Sequence, residues 1–243
     1  MSNNKLLKTI AIFCLPIMAQ AQTLHNNGAT FFVNSGATVQ VNGAVKNETG
    51  SSWKNEGTVN VTGDFENNQS MQFTPPSGVT RFEGTTAQTI SGIYSFKTYD
   101  VVFNNPNGIT LNTDLRVNHA AYFNDGIVTP TGNKVIEFDS PAMMGNTPSD
   151  SSHVNGKVLK QGLGSFIYPV GNGIRYQPIA INLSENSDGM YVRYNTGNAG
   201  ANSYTANGSE ATPLVAYNAN EFWNCDVPFG GVATGIVTMY WDD

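Results

Sequence analysis

The chain of 243 residues has few charged residues and almost no cysteine. Charged residues make up 12% of it, and the net charge is −6, which argues against nucleic acid as a partner because such proteins present basic patches to phosphates. The two cysteines are Cys14 and Cys225, and Cys14 lies in an N-terminal segment that resembles a cleaved signal. Because Cys225 then stays alone, we expect no intrachain disulfide, and stability must come from burial and backbone pairing.

Helical periodicity and long apolar runs are also missing. No stretch has apolar residues at i, i+3, i+4 and i+7, the spacing of an amphipathic helix. Beyond residue 21 no apolar run approaches the roughly 20 residues that span a bilayer, so we expect no transmembrane segment in the mature chain. Hydrophobic residues still make up 40% of the sequence, too many for intrinsic disorder.

Residues 1–21 have the pattern of a secretory signal. Lys5 and Lys8 precede or interrupt a short apolar run, and small residues end it, so we predict cleavage between Ala21 and Gln22. Removal of the segment leaves 10 basic and 18 acidic residues. The protein is therefore expected to be secreted, extracellular or displayed at the cell surface.

A ten-residue repeat is the clearest feature of the mature chain. Residues 38–47 recur as residues 58–67, with valines, a glycine and a final asparagine in register. Apolar and polar residues alternate within each copy, which is typical of strands with one buried face. Antiparallel hairpins or a parallel coil would both fit this alternation, but recurrence after one unit favours the coil. We therefore predict a parallel β-solenoid.

The asparagines and glycines of the repeat suggest how the coil is built. Asn47 and Asn67 occupy equivalent positions and either stack as an internal hydrogen-bonded ladder or only form corners. Glycines next to polar residues tolerate the positive φ of tight corners. The predicted corners are at residues 34–36, 42–43, 55–57 and 62–63.

The composition changes near residue 140. Residues 140–152 contain two prolines and four serines and predict a loop or linker. We assign residues 22–150 to the solenoid and 151–243 to an antiparallel β-sandwich, with the boundary between about residues 141 and 161. Because the chain ends within a strand pattern, we expect this second, all-β domain to be incomplete and the sequence to be a fragment.

Two blocks carry a resemblance to a known class of proteins. They are residues 79–92, with 103–105 and 108–111, and residues 154–160, with 166–171 and 176–179. The first resembles the repeat regions of large extracellular proteins from Bacteroidetes-type bacteria. The second, which includes Phe166-Ile167-Tyr168-Pro169-Val170-Gly171, looks like the "G-x-V-x-K … F-x-[FY]-P-V-G … Y-x-P-I" passage that follows the solenoid in that class.

The resemblance implies a signal peptide, export across the outer membrane by the type IX route, and display or release. Such proteins usually end in a C-terminal sorting domain, which is not recognisable here. The class supplies no catalytic residues that could be transferred to this sequence.

Histidine and cysteine chemistry finds no support in the sequence. His25, His119 and His153 stand in no context typical of nucleophilic catalysis, and we interpret them as surface or corner residues. Cys225 has no paired cysteine and is interpreted as a small buried hydrophobic residue. We therefore predict no catalytic residues and no enzyme.

Carboxylates are scattered along the chain. Asp64 and Glu66 flank Phe65 and should share a solvated outward face rather than form the acid/base pair of a polysaccharide enzyme. Arg81 and Glu83 flank Phe82 in the same way and predict a surface ion pair.

Calcium and sugar stacking remain open alternatives. Residues 124–126 and 185–189 offer oxygen ligands without a known calcium-loop spacing, so turn formation explains them and no cofactor is expected. Five aromatic residues could stack on sugars, although core packing is the simpler interpretation. They are Tyr94, Phe96, Tyr99, Tyr122 and Phe123.

The predicted function is that of a secreted, non-catalytic, structural or adhesin-like rod that presents a binding module. An extracellular glycan or a matrix or cell-surface protein is the expected partner. The alternative is a carbohydrate-active enzyme or carbohydrate-binding module on a β-helix scaffold. Three or more charged side chains that converge in a groove on the solenoid side would favour the enzyme.

Overall fold

A computed structural model of the chain describes residues 22–70, 72, 75–185, 189–198, 220–228 and 233–240. The regular elements there are β-strands, which confirms the all-β class. None of these residues forms a helix long and apolar enough to cross a membrane. Of the predicted cleavage site, Ala21 lies outside the described residues, whereas the Gln22 amide donates to the Asn42 carbonyl at 3.1 Å.

The strands are short and separated by tight turns. They are β1 Leu24–Asn26, β2 Thr30–Val33, β3 Thr38–Val41, β4 Val45–Asn47, β5 Ser52–Asn55, β6 Thr58–Val61, β7 Phe65–Asn67, β8 Val79–Phe82, β9 Gln88–Ser91, β10 Phe96–Asn104, β11 Ile109–Leu111, β12 Leu115–Asp125, β13 Val128–Pro130, β14 Val135–Phe138, β15 Met143–Met144, β16 Lys157–Lys160, β17 Gly164–Tyr168, β18 Ile179–Glu185, β19 Met190–Thr196, β20 Glu221–Asp226 and β21 Thr234–Met239.

Strands β1 to β14 wind into a parallel solenoid of about six turns. Strands β1, β4, β7, β9, β11 and β13 form one parallel sheet, and each pairs with its equivalent in the next turn. The ten-residue repeat corresponds to another parallel pairing of this kind, between β3 and β6, in which Val39 lies opposite Val59 and Val41 opposite Val61. Recurrence of a strand after one turn therefore predicted the pairing, and the parallel solenoid is confirmed.

The solenoid interior is filled by stacked rings and valines. Phe65 is fully buried, and its ring lies 5.3 Å from Trp53, 6.1 Å from Phe82 and 4.3 Å from Phe96, measured between ring centroids. Each fully buried phenylalanine contributes roughly 1.5–3 kcal/mol relative to exposure, and aromatic contacts add to this. Burial of one residue per turn thus holds successive turns together.

An amide ladder runs through the first three turns. The Asn26 side-chain amide donates to Asn47 Oδ1 at 2.9 Å, and Asn47 donates to Asn67 Oδ1 at 3.0 Å. Asn47 also donates to Gln69 Oε1 at 3.2 Å, and Asn67 donates to the Ser95 carbonyl at 3.2 Å. Asn47 and Asn67 are fully buried. The internal ladder is confirmed, and the interpretation as mere corner residues is wrong.

The corner glycines serve two different purposes. Gly36 has φ of +80°, as a tight corner requires. At Gly57 a Cβ would lie 2.4 Å from the Ala37 carbonyl oxygen, and at Gly63 it would lie 2.5 Å from the Gly43 carbonyl carbon. These two glycines are needed because adjacent turns approach closely, which the corner interpretation did not foresee.

Part of the predicted linker belongs to the solenoid wall. Met143 and Met144 form β15 and pair with β12, so the loop prediction is wrong at these two residues. The turn that precedes β15 is fixed by Lys160, whose Nζ donates to the carbonyls of Asp139 at 2.5 Å and Ser140 at 2.6 Å. Burial lowers the pKa of Lys160 to about 8.

Antiparallel pairing takes over after the solenoid. β16 pairs in parallel with β14 but antiparallel with β19, which pairs with β20. β17, β18 and β21 form a second antiparallel sheet. The two sheets are joined by the Tyr168 hydroxyl, which donates to the Met190 carbonyl at 3.0 Å, and by Trp223 Nε1, which donates to the Gln177 carbonyl at 2.9 Å. An antiparallel region after the solenoid is confirmed, while the boundary at residue 150 stays a prediction.

Candidate ligand-binding groove

A row of mostly polar side chains crosses the outer face of the long sheet, with the buried Leu159 as its one apolar member. Register places one residue from each of six neighbouring strands in this row, and most of them carry charge. The members, from β10 to β20, are Lys97, Arg116, Glu137, Leu159, Tyr191 and Asp226. Neighbouring strands lie about 4.8 Å apart, so these side chains can interact across the strands.

The solenoid part of the row is a self-contained charge network. Arg116 Nε lies 2.6 Å from Asp139 Oδ1, and Arg116 Nη1 lies 3.6 Å from Glu137 Oε1. Asn118 donates to Asp139, and Gln161 donates to Glu137. Burial raises the pKa of Glu137, although the Arg116 charge opposes that shift. The carboxylates of Glu137 and Asp139 already accept hydrogen bonds from protein groups, which indicates that the network stabilises the contact between adjacent turns.

At the C-terminal end of the row lies a groove of about 180 Å³. β16, β19 and β20 supply its walls, because alternation along each antiparallel strand turns every second side chain outward. The lining residues are Lys157, Tyr191, Val192, Arg193, Asn195, Asn224 and Asp226. We call this set the Tyr191 groove.

Cations in the Tyr191 groove have no acidic partner among the described residues. Lys157 Nζ lies 5.1 Å from the centre of the Tyr191 ring, a cation–π contact, and neither Lys157 nor Arg193 has a carboxylate oxygen within 4.0 Å there. Asn224 donates to Asp226 at 3.3 Å. Burial, and then the charges of Glu137 and Asp114, raise the pKa of Tyr191. The groove therefore offers two cationic side chains that have no carboxylate partner among the described residues, a carboxylate acceptor and an aromatic ring.

The lining residues include no serine, cysteine or histidine, whereas Lys157, Tyr191 and Asp226 carry titratable groups. Over the described ranges, no three His, Cys, Asp or Glu side chains are grouped so that they could hold a metal ion.

The three histidines lie far apart in the structure. His25 Nε2 contacts Glu48 Oε1 at 3.1 Å on the exposed surface. His119 Nδ1 lies 2.7 Å from Asp100 Oδ1, and its ring stacks on Tyr99 at 4.5 Å. These positions agree with surface and corner roles.

His153 and Cys225 differ from their predictions. His153 is fully buried, not on the surface: its Nδ1 donates to the Ser149 carbonyl at 3.0 Å, and its Nε2 accepts from the Gly173 amide at 3.0 Å. Cys225 is exposed, so its interpretation as a buried residue is wrong. It lies on the edge strand β20, where less of the chain covers it.

The predicted charged pairs have mixed outcomes. Asp64 is exposed and accepts from the Thr89 amide at 2.7 Å, while Glu66 accepts from Asn68 at 2.7 Å, as expected of a solvated face. Arg81 and Glu83 form no ion pair with each other, so that prediction is wrong.

The remaining candidates are explained by turns and packing. Gly126 has φ of +87°, and Asn124 accepts from Asn146 at 3.3 Å, which supports the turn interpretation of residues 124–126. Residues 186–188 of the second candidate calcium loop lie outside the described residues. Among the aromatic candidates Phe96 and Phe123 are buried in the core, whereas Tyr94 is exposed.

The sequence did not predict the Tyr191 groove. Its walls come from segments that no repeat connects, and β16 and β20 were not recognised as strands. Neither the family models nor the curated proteins nor the solved structures compared with this chain gave a match.

Proposed function

We propose that the protein is a secreted or cell-surface, non-catalytic, adhesin-like component, in which the solenoid is a rigid spacer and the Tyr191 groove binds a partner. The observation that carries the proposal is the contrast between the two ends of the outer row. On the solenoid, Arg116 contacts the carboxylates of Glu137 and Asp139, whereas in the groove neither Lys157 nor Arg193 has a carboxylate within 4.0 Å among the described residues. Extracellular glycans or matrix and cell-surface proteins are the proposed partner classes.

The way in which a parallel coil grows supports the spacer role. Each inner strand of a parallel coil pairs with the turns on both sides, so length grows by repetition without loss of backbone hydrogen bonds. Export through a signal at Ala21 and Gln22, by the type IX route that the family resemblance implies, belongs to the same proposal. It would be tested by N-terminal sequencing of the protein recovered from the culture medium or cell surface.

Binding is tested by a screen of the purified protein against glycans and matrix proteins, run beside a polysaccharide-degradation assay. We expect saturable binding without release of reducing ends. Degradation of a polysaccharide without stoichiometric binding would contradict the adhesin proposal.

One observation favours the alternative of a carbohydrate-active enzyme. Arg116, Glu137 and Asp139 converge on the solenoid side, and the pKa of Glu137 is raised, as for a general acid. If this site were catalytic, Glu137→Gln would abolish any degradation that the assay detects. Loss of polysaccharide degradation in Glu137→Gln, with binding retained, would assign a catalytic function to the cluster of Arg116, Glu137 and Asp139.

A further inference from the structure

The Tyr191 groove concentrates positive charge on an acidic protein. The chain carries a net charge of −6, yet two of its 12 basic residues, Lys157 and Arg193, line one small groove. Arg193 is exposed, and its guanidinium presents a fork of donors that matches the two oxygens of a carboxylate or sulfate. A ligand with an anionic group would therefore gain charge-assisted hydrogen bonds there.

Other lining groups limit the class of anion. Asp226 and the amides of Asn195 and Asn224 supply both acceptors and donors, the mixture that sugar hydroxyls need. Asp226 would repel a dense polyanion such as nucleic acid, and the Glu137 and Asp114 charges act on the same face. A neutral sugar, in turn, would leave the Lys157 and Arg193 charges without partners.

The aromatic ring and the size of the groove also favour a single sugar ring as the ligand. Tyr191 forms part of the groove wall, and Lys157 Nζ lies 5.1 Å from the centre of its ring, so the ammonium and the ring line the groove next to each other. About 180 Å³ is less than the 300–1,000 Å³ typical of drug-sized ligands, which suits a single sugar ring of a longer chain.

We propose that the Tyr191 groove binds one anionic sugar ring of an extracellular polysaccharide, with Arg193 and Lys157 on the anionic group and Asn224 and Asp226 on hydroxyls. This inference rests on the proposed binding function and narrows it to acidic saccharides. A uronic acid carboxylate and a sulfate ester share this chemistry, and the probes below separate them.

The test is calorimetric titration of the purified protein with trigalacturonic acid, its fully methyl-esterified form and a keratan sulfate hexasaccharide, which carries sulfate esters but no uronic acid. We expect at least one anionic probe to bind, the neutral ester to bind at least about tenfold more weakly, and affinity to fall as salt rises. Arg193→Gln and Lys157→Gln should each weaken binding by about tenfold, since each removes one charge-assisted contact.

Arg81→Gln is the matched control. Arg81 faces outward on β8 of the same long sheet, five strands from β19. It should bind like the original protein, and thermal melts should show that all variants are folded. Equal binding of acid and ester, unchanged affinity in Arg193→Gln, or no binding of either anionic probe would overturn the inference. Capture of a neutral glycan or a matrix protein in the wider screen would still leave the proposed binding function standing.

Discussion

Two rungs, by which we mean hydrogen bonds between side-chain amides at equivalent positions of adjacent turns, occur in different surroundings, one inside the solenoid and one on its outer surface. Inside, Asn47 donates to Asn67 at 3.0 Å, and outside, Asn60 donates to Gln40 at 2.9 Å, each across 20 residues. The inner pair is fully buried, whereas Gln40 is exposed. Water can replace the outer bond but not the inner one, so the same recurrence has a much larger energetic effect in the interior.

The largest expected loss of stability comes from Phe65→Ala in the solenoid interior. Phe65 has no exposed surface and contacts three other rings, so the cavity should lower the free energy of unfolding by about 4 kcal/mol. Urea denaturation followed by tryptophan fluorescence measures this loss. Phe32→Ala is the control, because Phe32 is 47% exposed and should cost far less. Equal losses in both variants would contradict the packing described for the solenoid core.

The two rungs are compared directly by Asn47→Ala and Gln40→Ala. Removal of the Asn47 side-chain amide deletes its three interior hydrogen bonds, with Asn26, Asn67 and Gln69, and we expect the free energy of unfolding to fall by about 3 kcal/mol. Gln40→Ala removes the bond from Asn60 and a bond to Asn42 at 3.2 Å, both at an exposed side chain where water replaces them, and we expect a loss below about 1 kcal/mol. Both values come from urea midpoints under identical conditions. A loss in Asn47→Ala no greater than that in Gln40→Ala would show that the ladder has no special value.

The same contrast explains what the sequence could predict. The ladder at Asn47 and Asn67 was one of the two alternatives that the repeat offered, because equivalent positions recur once per turn. Asn26 and Gln69 were missed because they lie outside the ten-residue repeat, although they hydrogen-bond to the same ladder. The Tyr191 groove was missed for a different reason: Lys157, Arg193 and Asp226 meet through antiparallel pairing of distant segments, which leaves no period in the sequence.

A buried polar residue at the end of the solenoid makes stability depend on pH. Burial lowers the pKa of His153 below its ordinary value of 6.5, although Asp150 and the Ser149 carbonyl oppose the shift. The folded state therefore resists protonation, so stability is unaffected well above pH 6.5 and falls as pH drops below it. The slope is at most about 1.4 kcal/mol per pH unit.

Urea midpoints between pH 7.5 and 5.5 measure this slope. His153→Gln should flatten it, while His25→Gln should leave it in place because His25 is half exposed. NMR titration gives a second readout: the His153 ring should stay neutral below pH 6.5. A protonated His153 at pH 6.5 in the folded protein would show that burial does not control this residue.

Another small effect is expected on the outer face, in the charge network around Arg116. Asp139→Asn keeps the shape but removes the charge that Arg116 contacts at 2.6 Å, and both side chains are partly exposed. We expect a loss of about 1 kcal/mol that shrinks in high salt, because solvent and ions already screen the pair. Urea denaturation at low and high salt measures it, with Glu83→Gln as the control, because Glu83 forms no ion pair within the part of the chain that the structure describes. A salt-insensitive loss near that of Asn47→Ala would mean that this network belongs energetically to the interior.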